Sequence, residues 1–210
     1  RVKIPADRHL TPSSVFPDPQ THLRVIRIPD HGTGRKQHSH AFHELVVVLA
    51  GHGRHAVGPE TYDISAGDVF VILGETTHGY PETDHLSLIN ILFDPHQLGI
   101  PVADLGNLPG YHALFTVEPR FRRKGKFENR LTLTVEQLET AERMVRRIES
   151  ELADGGRGCR FMATTHLMAL IGTLSRFYSE LERGDPRSVT QLSEVLGYMH
   201  RHYAEPLTVS

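Results

Sequence analysis

The chain has 210 residues, 39% of them hydrophobic and 23% charged, and its 23 basic and 25 acidic side chains leave a net charge of −2. That balance argues against this segment being the main nucleic-acid contact, which carries a basic excess, and no apolar run approaches the ~20 residues that span a bilayer. A lone Cys159 excludes an internal disulfide and, with no secretory signal in residues 1–20, fits a cytoplasmic protein.

Residues 1–21, with Pro5, Pro12, Pro17 and Pro19, read as an irregular N-terminal arm. Leu23 to Pro29 is rich in β-branched residues and predicts a first strand. A second strand is expected from His38 to Gly51, closed by a tight turn at Gly51-His-Gly53. Arg54–Val57 and Thr61–Ile64 predict a hairpin around Gly58-Pro59. Ser65–Asp68 is a turn before the apolar run Val69–Leu73, and His85–Phe93 is apolar on both faces, as a central strand is. Short strands divided by glycine turns indicate an all-β sandwich or barrel.

Residues 96–130 are expected to wrap that barrel, with one more strand near Arg130–Leu133; the basic run Arg120–Lys126 reads as a solvated loop. Thr134-Val-Glu-Gln137 is a capping box, and Leu138, Ala141, Val145, Ile148 and Leu152 behind it form one helical stripe that ends before Gly155-Gly156. A helix from about Arg160 to Leu181 carries two stripes, Leu167/Leu170/Leu174/Phe177/Leu181 and Met168/Ile171/Tyr178. Two stripes imply two buried contacts, and a partner chain is the expected occupant of one of them, the alternative being that one chain buries both. Gly184-Asp-Pro186 is a linker. Ser188 caps a third helix carrying Val189, Leu192, Val195, Leu196, Met199 and Tyr203.

The chemistry concentrates at His38, His40 and Glu44. On a strand, residues at even spacing share a face, so two imidazoles and a carboxylate point one way, with Val46 and Val48 continuing that face as barrel interior. A neighbouring strand supplies His78. This set suits a divalent transition metal, zinc or nickel; the plainer reading is that the four side chains line a pocket and hydrogen-bond one another. Tyr80, His55 and Arg54 are candidates for the pocket rim, and His43 is expected to be packed or solvent-facing. There is no phosphate-binding glycine loop or nucleophile elbow.

The spacing of Gly32, His38, His40, Glu44 and Gly51 matches the first motif of the cupin family. A second motif is carried by Gly67, Asp68 and His78, but Leu73, Glu75 and Glu82 stand where the family has Pro, Gly and Asn. The whole chain resembles the sugar-sensing AraC-family regulators, especially the L-rhamnose regulators. The resemblance lies in His38–Val46, Gly67–Phe70 and Leu88–Leu92. It also lies in Leu192–Thr208, which is similar to the first helix of that family's double helix-turn-helix domain. It implies a mainly β protein with an α appendage: an N-terminal arm at 1–21, a cupin sensor barrel (double-stranded β-helix or jelly roll) at 22–133, a dimerising helical hairpin at 134–183, and a linker with the first helix of an incomplete helix-turn-helix domain at 184–210. The implied function is the sensing half of a homodimeric, sugar-responsive transcription regulator, without turnover, binding a monosaccharide effector and reaching DNA only through the C-terminal domain. The competing function is a small metal-dependent cupin enzyme, an isomerase or dioxygenase, using the same four ligands.

Overall fold

Alternating apolar and polar residues in residues 23–93 build strands whose two faces bury different things. The computed structural model of the protein describes residues 8–16, 18, 20–34, 37–101, 105, 106, 108–117, 131–181, 195, 198 and 199. Its strands are β1 (Arg8–Leu10), β2 (Leu23–Ile28), β3 (His38–His40), β4 (His43–Val57), β5 (Glu60–Ser65), β6 (Asp68–Ile72), β7 (His78–Phe93) and β8 (Leu131–Thr132). They form one sheet ordered β1-β3-β7-β4-β6-β8, with β2 also on β7 and β5 also on β4. The backbone of this sheet is the antiparallel pair β4 and β7, in register from His43↔Phe93 to Val57↔His78. Val46, Val48, Phe70, Ile72, Leu86 and Leu88 pack together on its inner face. Leu45, Val47, Val71, Ile89 and Ile91 lie on the opposite face, in the core shared with the helices. This is the mainly β barrel with helical appendage that the sequence implies.

Three expectations change. First, Gly51 and Gly53 do not end a strand, because β4 runs on to Val57. Gly51 instead sits among bulges between Val48 and His52, at φ 73°. A Cβ there would lie 2.1 Å from the His85 carbonyl oxygen, so only glycine fits. Second, β7 begins at His78 rather than His85. Pro81 is tolerated inside it because it is exposed and lies beside the irregular step between Arg54 and Ala56. Third, the lead-in contains structure. β1 pairs in parallel with β3, a helical turn follows at Pro12–Val15, and Val15 and Phe16 are buried with Phe42 and Leu92.

The capping box forms as expected. The Thr134 hydroxyl accepts from the Gln137 backbone N–H at 3.3 Å, and the Gln137 side-chain Oε1 accepts from the Thr134 backbone N–H at 3.0 Å. The first long helix, Val135–Asp154, ends at Gly155, whose φ of 62° is the left-handed cap. The second long helix is Cys159–Leu181. Leu167, Leu170 and Leu174 are fully buried, and Ile171 and Tyr178 nearly so, all in the core shared with the first helix and the outer face of the sheet. Among the described side chains, residues of both stripes are therefore covered within one chain. The outward side carries the exposed Phe161 and Met162 instead.

A short helix at Pro109–His112 and a π-helical turn at Ala113–Val117 bridge the sheet and this second helix. Gly110 sits so close to it that a Cβ would meet the Ser175 carbonyl oxygen at 1.9 Å. Gly110→Ala is expected to push the bridge off the helix and lower stability by about 1–3 kcal/mol, read as a lower urea midpoint. The expected linker at 184–186, the basic run at 120–126 and most of the third helix lie outside the described residues; Val195, Tyr198 and Met199 are helical and exposed.

Candidate functional site

His38 and His78 are cross-strand partners between β3 and β7. Between β3 and β4 the chain bends at Ala41 and Phe42, which returns Glu44 to the same side as His40. The His40 ring stacks on Phe42 at 4.4 Å and 5°, and Phe16 meets Phe42 edge-on at 5.3 Å. His40, Glu44 and His78 are all buried. The His38 ring lies 4.3 Å from His78 and 6.1 Å from His40.

The hydrogen bonds fix the state of two imidazoles. His40 Nδ1 is 2.7 Å from the Phe42 carbonyl oxygen, and His78 Nδ1 is 3.0 Å from that of Thr76. A carbonyl only accepts, so each Nδ1 carries a proton and donates. That leaves both Nε2 atoms aimed at one carboxylate oxygen: Glu44 Oε2 is 3.0 Å from His40 Nε2 and 3.7 Å from His78 Nε2. His78 Nε2 is buried and has no hydrogen-bond partner among the described residues. A ligand atom from each of His38, Glu44 and His78 falls within 4.8 Å of the other two. All four residues singled out in the sequence are thus brought together, three as a mutual cluster and His40 through its bond to Glu44.

Burial pushes the His78 imidazole down to about 4, with the nearby Glu44 carboxylate offsetting only part, so it is neutral near pH 7. Burial acts to raise Glu44, but the hydrogen bond from His40 and the neighbouring imidazoles outweigh it and hold the carboxyl below its ordinary range. A neutral imidazole nitrogen and an ionised carboxylate oxygen are metal-ligand species, and the carbonyl bonds at each Nδ1 are the outer contacts that orient such ligands.

Residues 21–171 match the AraC-like ligand binding domain. The chain belongs to this family. Among curated relatives it is 31% identical to the "HTH-type transcriptional activator RhaR" of Enterobacter sp. (strain 638), over 67% of this chain and 46% of that protein. It is 25% identical to the "HTH-type transcriptional activator RhaS" of Escherichia fergusonii, over 82% of this chain and 58% of that one. The chain spans about half the length of these relatives. A solved cupin protein from Bacteroides fragilis is similar at 18% identity, with 34% of this chain and 64% of that chain covered and a TM-score of 0.30.

Several residues of this AraC-like domain stand elsewhere than the sequence suggests. Arg54 points outward and pairs with Asp63 at 3.6 Å and Glu82 at 3.5 Å. His55 and Tyr80 are not at a rim but buried inside, with rings 4.8 Å apart, and His55 hydrogen-bonds the Tyr62 hydroxyl. The His31 ring packs tilted against Tyr80, with centroids 4.4 Å apart. Asn90 was not singled out as a site residue. It shares the inward parity of Leu86 and Leu88, and its buried Oδ1 has no hydrogen-bond partner among the described residues. His43, on the opposite face from Glu44, is half-buried against Phe93; burial lowers its imidazole, with Asp94 opposing.

Of the second motif, His78 joins the cluster, while Gly67 and Asp68 are structural. Gly67 takes φ 91°, and Asp68 binds the Ser65 N–H and the Thr132 hydroxyl, each at 2.8 Å, which ties β8 to the turn. Glu75, standing where the cupin motif has Gly, adopts φ 65°. The motif's glycine thus reflects a left-handed backbone position, which this chain fills at some cost in strain. No described helix is long and apolar enough to cross a membrane.

Proposed function

We propose that this chain is the effector-sensing part of a cytoplasmic transcription regulator, that the barrel holds a monosaccharide, and that His38, His40, Glu44 and His78 hold a divalent zinc or nickel ion beside it. The observation that carries the site is the pair of Nδ1-anchored imidazoles directing their Nε2 atoms at one buried carboxylate. The His78 Nε2 lone pair facing an ionised carboxylate calls for a cation between them, and a metal would take the place of the proton through which His40 Nε2 bonds Glu44. When bound, the metal supplies a Lewis acid that orients an effector hydroxyl. The chain's own contribution is a largely apolar interior with a few polar groups, Asn90 Oδ1 and Tyr80 among them, which suits a hydroxylated small molecule.

The family and the printed names of the relatives support the regulatory reading over an enzyme. DNA contact belongs in this proposal to the part of the relatives that this chain does not span. Self-association as a homodimer belongs to the outward side of the second long helix, where Phe161 is 74% exposed.

A thermal-shift screen over monosaccharides tests the sensing reading, since a ligand at a hundred times its Kd adds ~2.7 kcal/mol of stability. Elemental analysis of tag-free protein tests the metal. Near-stoichiometric zinc or nickel that disappears in Glu44→Ala and His78→Ala is the expected result. Metal-free protein that keeps full effector affinity in chelator reduces the cluster to pocket lining. Chemical conversion of a stabilising sugar would move the reading to a cupin enzyme.

A further inference from the structure

A cavity of about 240 Å³ lies on the outer side of the sheet, away from the barrel interior. It is lined by His43 and Phe93, paired across β4 and β7, by Tyr111 and Phe115 from the bridge, by His96, and by Ile171 of the second long helix. Tyr111 and Phe115 stack at 5.0 Å and 21°, forming one aromatic wall. The His43, His96 and Tyr111 side chains make no hydrogen bond with the described residues. Phe115 belongs to the π-helical turn Ala113–Val117, a local irregularity that recurs at ligand sites.

From this geometry we propose a second small-molecule site, for a neutral aromatic ring carrying one hydrogen-bonding group, of the phenol or indole class. It is independent of the sugar and metal reading. Three features select that class. The volume exceeds the ~150 Å³ that suffices for a benzene ring. The flat Tyr111–Phe115 wall favours ring stacking. The polar heads of His43, His96 and Tyr111 share the wall with Phe93, Ile100, Phe115 and Ile171, which matches a ligand with a polar edge and an apolar body. The site touches both layers of the fold: His43 precedes Glu44 in β4, and Ile171 lies in the helical core. An occupant there would bear on the packing of helices against barrel.

Indole is the probe. The chain has no Trp, so indole emission is read without a tryptophan background. Titration of the intact chain is expected to give saturable, one-to-one binding in which phenol competes. Intermolecular NMR contacts are expected from indole to the Ile171 methyls. Ile171→Phe, which fills the cavity, is expected to weaken binding by about tenfold or more, with its circular dichroism unchanged. Should that variant misfold, Tyr111→Phe removes only a hydroxyl and is expected to cost about two- to tenfold. The proposal is overturned by absence of saturable binding up to millimolar indole, by contacts to Val48 and Leu88 methyls inside the barrel, or by an affinity that neither folded variant moves.

Discussion

The double change Leu170→Glu, Leu174→Glu is expected to unfold the chain, not to convert a dimer into a folded monomer. Both side chains have no exposure and sit in the core shared by the two long helices and the sheet. Emptying a buried leucine site costs about 2–5 kcal/mol, and a carboxylate placed there finds no cation and adds several more. Two such sites together match or exceed the 5–15 kcal/mol that typically separates folded from unfolded domains. Far-UV circular dichroism at 25 °C should show loss of native signal, and sedimentation should show expanded or aggregated chain. A folded double variant would mean that the second helix is not packed as described. Phe161→Glu is the change suited to testing self-association, since Phe161 is exposed and its replacement leaves the core intact.

That contrast shows where reading the sequence succeeds and where it stops. Helical spacing in 160–181 identified the buried positions, because burial imposes the 3–4 period whichever surface does the burying. It could not say which surface. A partner chain is the expectation for one stripe, with burial inside one chain as the alternative; among the described side chains, the first helix, the bridge at 109–117 and the sheet cover residues of both. Glu44, Val46 and Val48 likewise follow strict alternation and face inward as read. Past Val48 the bulges around Gly51 shift the parity, so His55 faces in and Arg54 faces out, the reverse of what unbroken alternation from Glu44 gives. The positive-φ glycine was visible, but a turn and a bulge use the same residue. In the N-terminal arm, prolines signalled irregularity, yet Pro12 opens a helical turn and Phe16 locks onto Phe42. Such contacts depend on tertiary neighbours that no local pattern specifies.

The cluster in the barrel should also set how the metal-free protein responds to acid. His78 is pushed down to about 4 by burial, against an ordinary 6.5. Between these two values the unfolded chain binds a proton that the folded chain refuses. Stability is therefore full above pH 6.5, falls as pH drops below it, and levels off near pH 4. One such proton is worth ~1.4 kcal/mol per pH unit, so about 2 kcal/mol should be lost between pH 7 and pH 5 in chelator. His43, also lowered by burial, adds to the loss with the same sign. Glu44 is held below its ordinary range, so its contribution is present above about 4.5 and is lost only in stronger acid; it leaves the pH 7 to 5 window untouched. Urea unfolding of the chelated protein at pH 7 and pH 5 reads the slope. His78→Gln should flatten it, because the glutamine keeps a polar group in the barrel but takes up no proton. An unchanged slope in a folded His78→Gln protein would show that the acid sensitivity arises elsewhere, and that His78 is not the neutral, buried imidazole from which the metal site is argued.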